Sequence, residues 1–306
     1  MRGAAVTQNL PAQARARLAD YYALCKPRVV MLITFTAIVG MLLAVPGMVP
    51  PGVLIWGSVG ITLMAASAAA LNQILDRQVD ARMARTKQRP LVTGQLGMLE
   101  SGLFAALIGA LGFALLYALI NPLTAWLTLF TLVGYAGVYT LYLKRATPQN
   151  IVIGGAAGAA PPVLGWVAVT GEVHAHALLL FLIIFVWTPP HFWALAIERR
   201  DEYAQVDIPM LPVTHGIAYT RTQVLLYTLL LVAVTLLPFA TGMSGLPYLF
   251  AALALGGGFL WYALRLRFAP VPGLAMRTFG YSIVYLMALF TALLADHYFA
   301  VWHGGG

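Results

Sequence analysis

Residues 71–90 read LNQILDRQVDARMARTKQRP, and this stretch decides the interpretation of the chain. It directly follows a long apolar run. Asn72, Asp76 and Asp80 are spaced four residues apart, so on a helix each step turns the side chain by about 40° and the three share one face. Three oxygen-bearing side chains at the end of an apolar helix are suited to a hard divalent cation.

Cationic residues surround and follow this face: Arg77, Arg82, Arg85, Lys87 and Arg89. Carboxylates that bind a metal, next to cations that bind an anion, indicate a site for a metal diphosphate. We therefore take Asn72, Asp76 and Asp80 as candidate catalytic residues and Mg²⁺ ligands. A solvated helix end would carry similar residues, but a second acidic loop later in the chain favours a site.

The composition indicates an integral membrane protein. Of the 306 residues, 61% are hydrophobic and only 9% are charged, whereas a soluble domain carries about 25% charged residues. Charge-free runs longer than the roughly 20 residues that cross a bilayer recur along the chain. The only cysteine, Cys25, excludes an internal disulfide and a multi-cysteine metal site.

Proline, glycine and charge divide the apolar runs into nine predicted spans. They are residues 29–47, 53–75, 101–120, 123–143, 150–170, 176–197, 222–241, 246–264 and 278–300. We expect one membrane domain at 29–301, preceded by an interfacial segment at 1–28 and followed by a short tail at 302–306. The spacing of the two charged loops predicts an all-α integral membrane fold of two four-helix halves plus one helix.

Charge predicts the orientation of the domain. With nine spans, all 18 Lys and Arg residues fall on the side that holds the N-terminus. The positive-inside rule places that side in the cytoplasm. The net charge of +8 is then a result of topology and does not indicate nucleic-acid binding. We expect a lipid-embedded protein of the bacterial inner membrane with its site on the cytoplasmic side.

A second charged loop follows the sixth predicted span. Glu198, Asp201 and Glu202 lie at i, i+3 and i+4, which places them on one side of a helix, and we expect them to bind a second Mg²⁺. Asp207 is a weaker candidate, because Pro209 indicates that the helix has ended. Cations of both loops are candidate diphosphate ligands, although each could equally anchor the chain at the membrane surface: Arg82, Arg85, Lys87, Arg89 and Arg200.

A diphosphate site within a membrane protein predicts a substrate with an apolar tail. An allylic isoprenoid diphosphate fits, because its ionisation leaves a carbocation, and aromatic faces stabilise cations. Candidate pocket residues, each of which could also be ordinary packing, are Tyr135, Tyr139, Tyr142, Trp166 and Tyr203. His191 follows tandem prolines inside a span, and an ionisable group there is a candidate functional residue.

The Asn72-x3-Asp76-x3-Asp80 pattern with its basic tail resembles the intramembrane aromatic prenyltransferases. The resemblance implies a nine-helix enzyme that uses Mg²⁺ and a prenyl diphosphate. Other segments resemble the haem-farnesylating members of this family, namely 24–29, 150–158, 190–196 and 208–212. The first of these adds Lys26 and Arg28 to the candidate diphosphate ligands. Many family members have two Asp four apart in the second loop, where this chain has Glu198 and Glu202.

The closer resemblance implies a reaction. A farnesyl group would pass from farnesyl diphosphate to a vinyl group of haem b, and water addition would give haem O and diphosphate. His191, Trp187 and Trp193 would bind the haem. Haem A synthase or terminal oxidase assembly proteins would be downstream partners.

Three other interpretations stay open on the residues alone. A prenyltransferase could instead use an aromatic quinone precursor as the acceptor. A membrane transporter would also show broken helices, but its ionisable groups would lie near the midplane. A non-catalytic haem-binding subunit would leave the Asn72, Asp76 and Asp80 face without a purpose.

Overall fold

The protein is a bundle of long helices. The computed structural model describes residues 10–303, with side chains described from 13 to 300, and no strand occurs in that range. Residues 1–9, which include Arg2, and residues 304–306 of the predicted tail lie outside the described part of the chain.

Ten helices of more than ten residues make up the bundle in the described part of the chain. They are α1 (Leu10–Leu24), α2 (Pro27–Leu43), α3 (Pro51–Asp80), α4 (Met98–Leu119), α5 (Pro122–Ala146), α6 (Asn150–Thr170), α7 (Ala175–Glu198), α8 (Gly216–Ala240), α9 (Leu246–Phe268) and α10 (Leu274–His303). Short helices in the loops cover Pro90–Thr93, Arg200–Ala204 and Leu211–Thr214. Proline at the first helical position begins α2, α3 and α5, where its missing N–H costs nothing.

Eight of the described helices, α3 to α10, are long and apolar enough to cross a bilayer. The chain is therefore a multi-pass membrane protein. Each predicted range from 53–75 to 278–300 falls on one of these helices. The first predicted range, 29–47, falls on α2, which has 17 residues. It reaches the length of a span only with α1, from which it is bent by 56°.

From α2 onward, successive long helices run in alternate directions, so the bundle has two distinct ends. At the first, which we call the charged end, the end of α5 and the start of α6 meet the end of α3. Here Asn150 Nδ2 donates to the Lys144 carbonyl over 3.3 Å, and Lys144 contacts Asp76. At the second, the histidine end, a cavity of about 440 Å³ lies between Leu43, Trp166, His174, His176 and His297.

Two glycines bring α2 and α6 into backbone contact. A Cβ added at Gly40 would lie 2.8 Å from the Cα of Pro162, and one added at Gly165 would lie 2.8 Å from the carbonyl carbon of Ala37. Neither position tolerates a side chain without movement of a backbone. This close approach holds the second half of α2, toward the histidine end, against α6.

Candidate active site

The last turns of α3 carry the predicted face. Asn72, Asp76 and Asp80 are 4%, 3% and 5% exposed. Asn72 Nδ2 donates to Asp76 Oδ2 over 3.0 Å, so the two side chains are in direct contact. The three groups therefore lie inside the protein at the charged end, and a solvated helix end does not describe them.

Each member of the face has one cationic partner. Lys26 Nζ donates to Asn72 Oδ1, and Arg89 Nη1 donates to Asp80 Oδ2. Lys144 Nζ donates to Asp76 Oδ2 over 2.6 Å. The cations offset the cost of burying two carboxylates. They also form a basic rim that suits an anion with several oxygens, such as a diphosphate.

Lys26 reaches α3 from a bend in the backbone. Its φ of 50° and ψ of 60° are left-handed, which is uncommon for a residue other than glycine and costs about 1 kcal/mol. On the other side of the contact, Gln73 Nε2 donates to the carbonyls of Ala23 and Leu24 over 3.1 and 2.8 Å. These hydrogen bonds hold the end of α1 against α3, and the bend at Lys26 places its ammonium next to Asn72.

A π-helix in α5 positions the third cation, Lys144, beside Asp76. Residues Gly134–Leu143 of α5 are π-helical over 10 residues, and such segments are rare and frequent at functional sites. Thr140 Oγ1 accepts a hydrogen bond from Asn72 Nδ2 over 2.9 Å and donates to the Tyr135 carbonyl over 2.8 Å. Lys144 follows directly. In the sequence analysis, Lys144 entered only as one of the cations that set the topology, and Thr140 was not considered. The candidate pocket tyrosines of the same segment were the signal that could have drawn attention to both residues.

The loop after α3 folds back over the face. Thr86 Oγ1 donates to the Asp80 carbonyl over 2.9 Å, and Arg77 Nε donates to the Leu91 carbonyl over 3.0 Å. This return brings Arg89 to Asp80. The other candidate diphosphate ligands are exposed and contact none of the three oxygen-bearing side chains: Arg28, Arg82, Arg85, Lys87 and Arg200.

The second acidic loop differs from its expected geometry. Helix α7 ends at Glu198, and Arg199 separates it from the short helix Arg200–Ala204. The expectation that Glu198, Asp201 and Glu202 share one side of a continuous helix is therefore wrong. Glu198 and Asp201 are exposed, while Glu202 Oε1 accepts from Arg199 Nη1 over 2.5 Å.

Asp207 stands apart from these acids. It is exposed and has a positive φ of 56°, as expected of a turn residue beyond the helix. In the described part of the chain, no three His, Cys, Asp or Glu side chains are arranged to hold a metal ion. Metal binding by the second loop stays a prediction.

Tyr203 connects the two loops. Its side chain packs in one cluster with Met83 of the first loop and Ile208 of the second. Burial raises the pKa of Tyr203, and the nearby guanidinium of Arg85 opposes that rise. Tyr203 therefore keeps its proton at neutral pH and presents a neutral aromatic ring between the loops.

The other predicted pocket aromatics divide into two groups. Tyr135 and Tyr139 stack at 5.5 Å on the π-helix beside Thr140. Tyr142 is 68% exposed on the outer surface, so its assignment to a pocket is wrong. The assignment of Trp166 to the pocket is also wrong. Trp166 lies 16 residues beyond Asn150, which is about 24 Å along α6 from the charged end. It stacks on His174 at the histidine end.

His191 lies inside the bundle on α7, which continues as a helix through the tandem prolines. It is 7% exposed and stacks on Trp187 at 4.1 Å. Its Nδ1 lies 2.6 Å from Ser282 Oγ of α10. Trp193 packs edge-on against Tyr227 of α8 at 5.2 Å. Two residues on a helix are about 200° apart, so Trp193 faces away from His191 and does not form a site with it.

The α3 face fits a magnesium ion. Asp76 Oδ2 has two hydrogen-bond donors, whereas Asp76 Oδ1 is buried without a partner. An unpaired buried carboxylate oxygen is costly, and a ligand there would remove the cost. The donors of Asn72, Asp76 and Asp80 are all oxygens, which Mg²⁺ prefers; it usually takes one or two carboxylates together with substrate phosphates.

Comparisons with known proteins place the chain in a family. Residues 33–294 match the model of the UbiA prenyltransferase family. The protoheme IX farnesyltransferase of Alcanivorax borkumensis is 63% identical over 94% of this chain and 95% of its own length. That of Methylococcus capsulatus is 63% identical over 91% and 93%.

Solved structures share the fold at low sequence identity. A digeranylgeranylglyceryl phosphate synthase matches with a TM-score of 0.77 and 18% identity, over 92% of this chain and 99% of that chain. A UbiA homologue from Archaeoglobus fulgidus bound to GPP and Mg²⁺ matches with a TM-score of 0.61 and 18% identity, over 90% and 99%.

Proposed function

The chain belongs to the UbiA prenyltransferase family, and from that premise we propose that it transfers a farnesyl group from farnesyl diphosphate to a vinyl group of protohaem IX (haem b). Addition of water would give haem O, and diphosphate would leave. The acceptor follows from relatives of 63% identity that are named for this reaction. The observation that carries the chemistry is the buried oxygen face of Asn72, Asp76 and Asp80 within a ring of three cations.

The residues of α3 would hold Mg²⁺ through Asn72, Asp76 and Asp80. A bound magnesium ion supplies positive charge that stabilises the diphosphate as it leaves. The Archaeoglobus homologue was solved with GPP and Mg²⁺, which supports the same cofactor here. Asp76 Oδ1 has no hydrogen-bond partner among the described residues, so it would bind the ion while Asp76 Oδ2 keeps its two donors.

The three cations would bind the diphosphate oxygens. Lys26, Lys144 and Arg89 come from three separate segments and converge on one face. The charge-assisted hydrogen bonds of these cations would strengthen as the departing diphosphate gains negative charge. Interactions that are stronger in the transition state than in the bound substrate lower the activation barrier. The stacked rings of Tyr135 and Tyr139 lie beside the same face and would stabilise the allylic cation.

The apolar end of the prenyl donor would extend from this site into the bundle, toward the acceptor. We place haem b near His191 and Trp187, seven and eleven residues from the end of α7 at Glu198. This distance, about 10 to 17 Å along the helix, matches a prenyl chain that starts at the charged end and runs inward.

We also propose a second Mg²⁺ at the second acidic loop, with Glu202 as its main protein ligand. Glu202 is the best placed of the three acids, because it is partly buried and paired with Arg199. Glu198 and Asp201 point to solvent, so a diphosphate and a second Mg²⁺ would have to draw them in. The exposed cations would bind the diphosphate only after the loops move in the same way: Arg28, Arg82, Arg85, Lys87 and Arg200.

The topology is proposed on the same grounds. Nine spans result if α1 and α2 are taken as one bent span. The positive-inside rule then places the charged end, and with it the N-terminus, in the cytoplasm. We propose a bacterial inner-membrane location, and haem A synthase or terminal oxidase assembly proteins as users of the product.

One assay tests the reaction. Purified protein in detergent receives haem b, farnesyl diphosphate and Mg²⁺, and haem O is measured by mass spectrometry, with EDTA and the Asp76→Asn variant as controls. Metal-dependent haem O is the expected result. If folded protein binds farnesyl diphosphate with Mg²⁺ but makes no haem O, haem is the wrong acceptor and aromatic quinone precursors are tested next.

A further inference from the structure

A hydrogen-bond chain joins His191 to the backbone of α10. His191 Nδ1 lies 2.6 Å from Ser282 Oγ, and Ser282 Oγ donates to the Phe279 carbonyl over 2.6 Å. A serine hydroxyl carries one proton, and a carbonyl can only accept. The proton of Ser282 is therefore used on Phe279, and His191 Nδ1 must be the donor to Ser282.

This chain determines which ring nitrogen of His191 carries the proton. A neutral imidazole has one N–H, and the nitrogen without it has a free lone pair. With the proton on Nδ1, the lone pair is on Nε2. Among the described residues, Nε2 has no hydrogen-bond partner, so the lone pair is available to a ligand.

Aromatic rings fix the orientation of the imidazole. It stacks on Trp187 at 4.1 Å with an interplanar angle of 18°, and on Phe279 at 4.5 Å with 25°. Trp187 Nε1 in turn donates to the Ser282 carbonyl over 2.8 Å. Because α7 and α10 both hold the ring, it cannot turn to exchange its two nitrogens without breaking these contacts.

We propose that His191 Nε2 is an axial ligand of the haem iron and that Ser282 is the positioning residue that sets its tautomer. The inference rests on the proposed function, since it takes haem as the acceptor. A histidine that ligates a metal usually donates its other N–H to an oxygen, and the neutral imidazole is a common iron ligand in haem proteins. Ligation would orient the porphyrin relative to the prenyl donor.

The test compares haem with iron-free protoporphyrin IX. The two have the same ring, vinyl groups and propionates, so only ligation to the iron separates them. Binding to the full-length protein in detergent is followed by the Soret band, without farnesyl diphosphate and therefore without turnover. We expect wild type to prefer haem by at least about tenfold.

Variants test whether His191 and Ser282 cause the preference for haem over protoporphyrin IX. His191→Ala and His191→Gln should lose it and lose the imidazole-ligated Soret signature, and imidazole in the buffer should restore the signature to His191→Ala. Ser282→Ala should weaken haem binding by about tenfold without changing the affinity for protoporphyrin IX. Thr291→Ala is the matched control: it removes an exposed α10 hydroxyl that bonds only to Met287 O at 2.8 Å, and it should bind haem as wild type does.

Other results overturn the inference. Equal binding of haem and protoporphyrin IX by wild type would leave His191 as a base or a packing residue. So would an unchanged Soret band in a His191 variant that still binds farnesyl diphosphate with Mg²⁺ and is therefore folded. The proposed function fails by a different measurement, namely the absence of haem O in the wild-type assay.

Discussion

The ammonium of Lys144 lies 2.6 Å from the carboxylate of Asp76, although 68 residues separate the two in the sequence. Both side chains are largely inside the protein, 15% and 4% exposed. The bond occupies Asp76 Oδ2 and leaves Asp76 Oδ1 free. One carboxylate can thus be held by the protein and still offer an oxygen to a metal.

Lys144→Met should impair use of farnesyl diphosphate. The substitution keeps most of the side-chain volume but removes the charged donor, whose bond to a charged group is worth about 1.5–3 kcal/mol, or about ten- to a hundredfold. We expect kcat/KM for farnesyl diphosphate to fall by that factor, with partial recovery in Lys144→Arg. Arg145→Met, at the exposed neighbouring position, is the control, and equal kinetics in the two Met variants would exclude Lys144 from the site.

Asp76→Asn should abolish most of the turnover while the protein still folds. The amide has the same shape and still accepts one hydrogen bond, but it loses the negative charge that attracts Mg²⁺. A loss of at least about a hundredfold in haem O formation is expected, as for other electrostatic groups in active sites. Asp20→Asn on α1 makes the same chemical change outside the site, and normal turnover in Asp76→Asn would refute the metal assignment.

Mg²⁺ should bind strongly only together with a diphosphate. The α3 face supplies two carboxylates and one amide, while Lys26, Lys144 and Arg89 surround it with positive charge that opposes a lone cation. Calorimetry should therefore show weak Mg²⁺ binding to the protein alone and much tighter binding with farnesyl diphosphate or inorganic diphosphate. Tight binding of Mg²⁺ without either compound would mean that the three cations do not act as described.

Asp296→Ala should destabilise the protein without slowing the reaction. Asp296 of α10 is 4% exposed, and its carboxylate accepts from the backbone N–H of Gly245 over 2.6 Å and of Tyr248 over 3.3 Å at the start of α9. The loss of this cap costs about 1–3 kcal/mol. Thermal unfolding in detergent should begin at a lower temperature, with a smaller change in Asp296→Asn, and haem O per folded protein should stay constant because Asp296 lies at the histidine end.

Much of the fold was accessible from the sequence. Lengths of apolar runs are set by the bilayer, so eight predicted ranges fall on helices that are able to span it. The resemblance drawn from Asn72, Asp76 and Asp80 is confirmed by the family match over residues 33–294. That spacing is a local property of one helix, and local periodicity is what a sequence expresses most directly.

The parts that sequence reasoning missed depend on where helices break. Arg199 interrupts the helix between Glu198 and Glu202, so the i, i+4 rule failed at that one residue. Trp166 and Tyr142 were assigned to a pocket by residue type, but depth along α6 and rotation around a π-helix decide where they lie. Asp296 was not singled out from the sequence, because its partners at the start of α9 are 48 and 51 residues away.

The π-helix at Gly134–Leu143 makes this enzyme sensitive to the number of its residues as well as to their identity. An α-helix turns 100° per residue, and a π-helix holds extra residues that an α-helix of the same rise would not accommodate. Deletion of a single residue there would let α5 regularise and would rotate Lys144 away from Asp76, with every ligand still encoded. Insertions and deletions in residues 134–143 should therefore inactivate more reliably than substitutions at exposed positions of the same segment, such as Val138 and Leu141.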